Sequence, residues 1–404
     1  MRQDGPGTLS VLRICSVFEP PGTLRLADVS RFDPIGGMQN HTAALTRALD
    51  RRGVRQTVIT ARPAGAPRRE RMGAAAEVIR LGWPIRRLRQ LYSVPAVAEV
   101  RRPRPVDLVH VHLGEDLAVV PLGVMAMRAH AAPMIMTIHC SLAHTFVGSG
   151  LRGLALRTIG GRLERAGVRR AAGVICLTAA TAELVRRARP GGVSVIPSGI
   201  ERRLFGAPHP DPVPDAPRPR VLYAGRLAAQ KGVARLVEAF SRLRSPATLL
   251  LVGDGPERPA IERRIRARRL ADRVRITGFV HHRDVPSYLA NADVLVLPSV
   301  YEELGSILVE AMAAGVPVVA SAVGGIPFLV RHGENGLLWD SDDTASLAEA
   351  IDRVVADGAL RRRLRRGGRA TAAAHDWDSL ADRVLEVYEA SVRGAPSRRA
   401  AAAG

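Results

Sequence analysis

Lysine is almost missing from this chain. Of its 59 Lys and Arg residues one alone is lysine, Lys231, and the rest are arginine. An ammonium is a compact, movable point charge, whereas a guanidinium is a planar fork. A solitary lysine is therefore either a chance survivor or the one basic position where the fork does not serve, and its neighbours have to decide. Cysteine is scarce too: Cys15, Cys140 and Cys176 each lie in or beside an apolar run and share no metal-ligand spacing, so they read as reduced packing residues of a cytoplasmic protein. Aromatic residues make up 4 % of the chain, too few for base-stacking platforms. The formal net charge of +21 otherwise raises nucleic acid or anionic lipid as a partner. Here Arg and Ala are spread together through the whole chain, and the densest run, RRRLRRGGR (361–369), reads as one solvated helix face, so no nucleic acid partner is expected.

Long hydrophobic runs are lacking as well. The start, MRQDGPGTLS, has no apolar segment of a secretory signal. The longest apolar stretch, 117–139, is broken by Arg128, His130 and Pro133 and reads as a helix followed by a buried strand rather than a membrane span.

What is present is alternation. Short apolar runs alternate with helix-period segments, the pattern of parallel sheets with crossover helices. Strand candidates in the first half are 11–18, 56–60, 107–112, 134–139, 173–178 and 193–199. A proline-dense stretch, GAPHPDPVPDAPRP (206–219), can be neither helix nor central strand and is the natural linker. The alternation then restarts with 220–226, 248–255, 274–280, 294–299, 317–321 and 335–339. The expected organisation is thus an α/β chain of two doubly wound, Rossmann-like domains, residues 1–205 and 220–375, facing each other across a cleft, since ligands of such sheets bind beyond the carboxyl ends of the strands. Trp377, Leu380, Val384, Val387 and Tyr388 fall on one helical stripe, so 376–394 is expected to be a helix packing back on the first domain, with 395–404 a frayed tail.

The neighbours of Lys231 favour function. Strand VLYAG ends at Gly225, Arg226 follows, and a helix begins near Lys231 or Gly232. A helix amino terminus offers free N–H groups and partial positive charge, and with Arg226 and Lys231 beside it forms a site for a doubly charged anion. No Walker pattern is present, and GDGPER (253–258) reads as a tight turn rather than a dinucleotide fingerprint. Further on, SVYEELGSILVEAMAAGVPVVAS (299–321) sets Glu302 just before a helix expected from about Ser306, with Glu310 one turn inside it. The carboxylate of Glu302 and the free N–H groups of Leu304, Gly305 and Ser306 can line one pocket. Glu310 suits a vicinal diol, because two hydroxyls can donate to its two oxygens. The alternative is that both glutamates are helix-start charges favoured by the dipole.

GRLAAQKG and EELGSILVE, followed by EAMAAGVPVVAS and GGIPFLV, resemble the retaining nucleotide-sugar glycosyltransferases of family GT4, which have the GT-B architecture. The resemblance covers nearly the whole chain, from GGMQNHTAALTRAL (36–49) through IPSGIERRLF (196–205), LLLVGDGPE and VRITGFV to the glutamate motif. It implies that Arg226 and Lys231 hold the diphosphate of a UDP-sugar donor. It also implies that Glu310 takes the ribose hydroxyls, that the backbone at Phe279 and Val280 faces the base, and that Glu302 with the amides after it grips the transferred sugar. The resemblance further implies that Gly36 and Gly37 let the first domain's loop approach the donor and that His139, at the end of MIMTIH, points at the donor sugar; on its own a histidine at a strand end is more often a satisfied structural residue.

In that family the anomeric configuration is retained by attack on the face from which the phosphate departs. No protein nucleophile and no cofactor or divalent metal is then expected, because fixed cations stabilise the leaving diphosphate; the D-x-D of Asp376 and Asp378 reads as a helix cap. The strand ends of the first half carry Glu19, Asp28, Asp33, Glu115 and Asp116. Acids gathered at one cleft of so basic a chain suggest a cationic acceptor, though loops explain them as simply. The stretch 18–42 is similar to actinobacterial aminoglycoside-antibiotic glycosyltransferases, which implies transfer of GlcNAc or glucose to the aminocyclitol 2-deoxystreptamine. Two other readings stay open: an inositol lipid or lipid-linked glycan acceptor, with 151–171 as a basic helix in peripheral contact with a membrane, and a non-enzymatic polyanion-binding protein.

Overall fold

A computed structural model of the chain describes residues 8–21, 37–83, 91–114, 116–139, 151–302, 304–340 and 343–394, with backbone alone for 151–157. The chain divides into two compact units, Met1–Pro197 with Asp378–Gly404, and Ser198–Trp377.

The first unit is built on an eight-stranded sheet of order β3-β4-β2-β1-β5-β6-β7-β8. The strands are β1 Ser10–Cys15, β2 Arg55–Ala61, β3 Arg69–Met72, β4 Ala76–Leu81, β5 Leu108–Leu113, β6 Met134–Ile138, β7 Gly173–Cys176 and β8 Val193–Val195. All pair in parallel except the edge strand β3, which runs antiparallel to β4. The β3–β4 hairpin has no counterpart among the expected strands. RERM carries three charged residues in four and alternates between exposed and half-buried, as an edge strand does, so it offers no apolar run to read. On the other strands, alternation sorts side chains to two faces. Leu12 and Ile14, Val109 and Val111, and Met134 and Met136 enter one apolar core with Val174 and Cys176. The intervening positions Arg13, His110, His112 and Thr137 stand on the opposite face and are all buried. The carboxyl-terminal helix Trp377–Arg393 belongs to this unit from Asp378 on.

The second unit holds a six-stranded, all-parallel sheet of order β11-β10-β9-β12-β13-β14, with β9 Arg220–Ala224, β10 Thr248–Val252, β11 Val274–Gly278, β12 Val294–Leu297, β13 Val318–Ser321 and β14 Leu337–Trp339. Counted within the unit this is the 3-2-1-4-5-6 order of a dinucleotide-binding fold, whose winding reverses between β9 and β12.

The boundary between units falls at Pro197, and the proline-dense stretch lies wholly inside the second unit. Most of its residues are exposed, and it is anchored at Asp211, at Ala216 and by its flanks. Ile200, Phe205 and Ala216 join the second core, and the buried Arg220 clamps Asp211 through Nη1 (2.8 and 2.7 Å to the two carboxylate oxygens) while donating to the Ala216 carbonyl. Proline forbade a helix, as expected, and the stretch is irregular backbone with turns. Among the described residues no helix is long and apolar enough to cross a membrane.

Candidate active site

In the second unit most residues expected to bind the donor follow the two strands that flank the winding reversal, β9 and β12, and Phe279 and Val280 follow β11. Gly232, left-handed at φ +63°, ends the one-turn helix Ala229–Lys231 and precedes the helix Val233–Phe240. An added Cβ there would lie 2.0 Å from the carbonyl oxygen of Pro298, so the loop after β9 rests directly on the end of β12. The Val300 N–H donates to the Gln230 carbonyl (2.8 Å) and the Gln230 amide to the Tyr301 carbonyl (3.4 Å). The joined loops bring Lys231 Nζ to 2.5 Å from Glu302 Oε2, which also accepts from Ser299 Oγ at 3.1 Å. Both partners are half-withdrawn from solvent, with side chains 27 % and 16 % exposed. Two residues that the sequence assigned to different parts of the ligand are thus paired with each other. Arg226 is exposed, and its carbonyl accepts the Tyr223 hydroxyl (2.7 Å). Its guanidinium has no acidic partner among the described residues.

The motif GDGPER is the expected turn, and its glycines have a packing reason: Cβ atoms at Gly253 and Gly255 would meet the carbonyl oxygens of Gly225 and Leu227 at 1.9 and 2.3 Å. It buttresses the loop that carries Arg226.

Glu302 is fixed through its backbone. Its carbonyl accepts from Gly325 N–H (2.8 Å), and Gly324 approaches so closely that a Cβ would sit 2.0 Å from that oxygen. Leu304 is buried, Gly305 is left-handed (φ +72°), and the helix starts at Ser306 and runs to Ala313. Within it Glu310 is 5 % exposed. Its Oε1 lies 2.9 Å from His282 Nε2, and its buried Oε2 has no hydrogen-bond partner among the described residues. A buried acceptor without a donor is destabilising, and an arriving hydroxyl relieves it. His282 stands on the loop after β11 that begins with Phe279 and Val280; Val280 packs on the core and Phe279 is half-buried. The sequence reading overlooked His282, whose only trace is the pair His281–His282 after a strand end.

In the first unit, Gly37 is exposed and opens the helix Gly37–Asp50; Gly36, Asp28, Asp33 and Glu115 lie outside the described residues. Glu19 is bound to Arg47 Nη1 at 2.6 Å. Asp116 is 1 % exposed, and its Oδ1 accepts from Ala118 N–H (2.9 Å) ahead of the helix Val119–His130. Both acids therefore have work within their own unit.

His139 follows β6, is 7 % exposed, and closes a buried polar layer. Its Nε2 lies 3.0 Å from His112 Nδ1, and its ring stands perpendicular to that of His41 at 4.5 Å. Arg13 reaches His112 Nε2 from Nη2 (2.8 Å), and His110 bridges Tyr388 Oη (2.7 Å) and Thr137 Oγ1 (2.8 Å). Burial, aided by the Arg13 guanidinium and neighbouring rings, pushes His41, His110 and His112 far below the usual imidazole range and His139 down to about 3. All four rings are neutral at pH 7. Nitrogens of His41, His112 and His139 lie within 4.8 Å of one another, yet this set does not fit a cation: Arg13 donates to His112, and a metal would sit beside a buried positive charge. The layer escaped the sequence reading, which took only His139. Its signal was polar residues at alternate positions of otherwise apolar strands, LRI in β1 and VHVHL in β5.

Two parallel α/β units, the second with cations and a buried open carboxylate oxygen at its winding reversal, define a glycosyltransferase of the GT-B architecture. Residues 35–204 match the family model described as Glycosyltransferase Family 4, and residues 209–371 that of Glycosyl transferases group 1. The chain is 34 % identical over 364 residues to a 2-deoxystreptamine N-acetyl-D-glucosaminyltransferase of Streptomyces fradiae (83 % of this chain, 86 % of the relative). It is 33 % identical over 355 residues to a 2-deoxystreptamine glucosyltransferase of Streptomyces kanamyceticus (80 % and 90 %). Among solved structures, sucrose-phosphate synthase of Thermosynechococcus elongatus superposes with a TM-score of 0.79 at 27 % identity (94 % of this chain, 98 % of that one). The chain belongs to the family 4 glycosyltransferases.

Proposed function

We propose that this enzyme moves GlcNAc or glucose from a UDP-sugar to 2-deoxystreptamine, with retention of configuration and without a divalent metal, in the assembly of an aminoglycoside. The observation that carries the donor half is the buried Oε2 of Glu310, without a partner among the described residues, on the helix that Glu302 precedes, a placement suited to accept a ribose hydroxyl. Arg226 and Lys231 take the diphosphate. As the anion arrives, Lys231 leaves Glu302 for a phosphate oxygen, and the freed carboxylate accepts hydroxyls of the transferred sugar. An acceptor hydroxyl oxygen bonds to the anomeric carbon as its bond to the phosphate oxygen breaks. The phosphate takes the hydroxyl proton, and the two cations stabilise charge that is larger in the transition state than in the ground state. The acceptor half is supported by the names of the Streptomyces relatives, and a diamine suits a first half whose sequence carries Asp33 and Glu115 near its strand ends.

Incubation of the purified protein with radiolabelled UDP-GlcNAc or UDP-glucose and 2-deoxystreptamine tests this reading. A labelled pseudodisaccharide whose anomeric coupling matches the donor's is expected. Transfer with neither donor removes the acceptor assignment, and an inverted product removes the same-face mechanism.

A further inference from the structure

Arg13 is 0 % exposed, and no carboxylate lies within ion-pair distance of it among the described residues. Burying a guanidinium without a counter-ion is costly, so its neighbours need a close look. Nη1 donates to Thr46 Oγ1 (2.5 Å) and to Gln56 Oε1 (3.1 Å), and Nη2 to the Thr42 carbonyl (3.4 Å). These acceptors are set by their own bonds: the Thr46 hydroxyl donates to the Thr42 carbonyl (2.7 Å), and the Gln56 amide nitrogen donates to the Thr46 carbonyl (2.9 Å). The remaining acceptor is His112 Nε2, 2.8 Å from Nη2 and 3.3 Å from Nε.

A guanidinium only donates. His112 Nε2 must therefore carry its lone pair, and the single proton of this neutral ring must be on Nδ1. That atom faces His139 Nε2 at 3.0 Å, so His139 accepts there and carries its own proton on Nδ1. The direction of the whole chain follows from one residue that cannot accept. No described group is hydrogen-bonded to His139 Nδ1.

We propose that Arg13 and His112 are positioning residues that act through His139, fixing it as the neutral tautomer with a donor N–H on Nδ1. The catalytic consequence rests on the reading that His139 faces the donor sugar. His139 then offers a hydrogen-bond donor to a sugar oxygen rather than an acceptor. The arrangement explains why an expensive charge is kept with no acid beside it, since an acid accepting from His112 would reverse the polarity of the chain.

The test is long-range proton–nitrogen correlation NMR on the full-length protein labelled with nitrogen-15 histidine, with His139 assigned from the spectrum of H139Q. The expected result is an Nδ1-protonated, Nε2-unprotonated ring between pH 6 and pH 8. A ring protonated on Nε2, or a cationic ring in that range, overturns the proposal without need of any folded variant at Arg13. In H112L the signature is expected to change to a mixture of tautomers, and kcat/KM to fall about 10–100-fold, the usual effect of removing an orienting partner. In H112N, whose amide N–H can stand near the position of Nδ1, the signature and most of the rate are expected to return. An unchanged His139 signature in H112L also overturns the proposal. Donor binding, read by thermal shift with UDP-GlcNAc, tests the functional reading separately: a protein with the expected tautomer and no donor binding keeps the relay and loses its link to the sugar.

Discussion

The two units share one architecture and treat positive charge in opposite ways. In the first, a guanidinium is sealed into the sheet among neutral side chains and its work is to set proton positions. In the second, where the buried Arg220 is paired with Asp211, Arg226 and Lys231 stand on a loop at the winding reversal, the lysine held by a carboxylate until something displaces it. Buried charge cannot move and therefore orients, whereas charge at a loop with a weak partner can be handed to a ligand. The same contrast separates the two acids of the candidate site. Glu302 has its partner in place, whereas Glu310 keeps one oxygen without a donor among the described residues.

The contrast breaks most sharply at Lys231. Lys231→Ala is expected to lower kcat about 10²–10³-fold, the effect of removing one fixed donor from a developing oxyanion. Losing a half-exposed ion pair should move the melting temperature by no more than about 2–4 °C. Steady-state kinetics beside thermal melts check this, and equal losses of rate and stability indicate a structural lysine. Next in size, Glu310→Ala is expected to weaken UDP and UDP-sugar binding together by roughly 10–100-fold, the worth of one or two charge-assisted hydrogen bonds. If titration calorimetry finds UDP binding intact, Glu310 does not hold the ribose.

Acid should separate the units. His41, His110, His112 and His139 are pushed down in the folded protein, mainly by burial, so below about pH 6.5 the unfolded chain binds more protons and stability is lost as pH falls. Each ring contributes at most about 1.4 kcal/mol per pH unit. The second unit has His375, also lowered by burial. Hydrogen exchange at pH 7 and pH 5, corrected for intrinsic rates, is expected to show β5 and β6 losing protection before β9 and β12. Simultaneous loss would mean that the layer titrates no more readily than the rest of the protein. Smallest, Glu302→Gln is expected to tighten binding of UDP about 2–5-fold by removing a competitor for Lys231, while lowering transfer. Weaker binding would show that the carboxylate helps to place the ammonium.

The second sheet was fully legible in the sequence, because its inner strands are apolar runs such as TLLLV or VLVL, as parallel strands buried on both faces read, and the edge strand VRITG still alternates apolar with polar. The loops that carry Arg226, Lys231 and Glu302 were legible because loop chemistry is local: a strand end, a glycine and a charge. The β3–β4 hairpin was not, since a polar edge strand carries no apolar signal. Nor was the His282–Glu310 pair, whose members lie 28 positions apart. The arginine–histidine layer depends on register: Arg13 lies opposite His110, and His112 opposite Thr137. Sequence spacing shows which face such residues take but not which strands will be neighbours.

The path of the chain has one more consequence. The second unit is spliced into the first, between Pro197 and Asp378, and the two ends of the insert lie side by side: Ile200 N–H donates to the His375 carbonyl (2.8 Å), and Trp377 N–H to the Ile200 carbonyl (3.1 Å). Residues 198–377 can therefore be excised and replaced by a few flexible residues without stretching what remains. That shortened chain isolates the histidine layer with Tyr388 still in place, whereas truncation after Trp377 strips away the helix that covers His110.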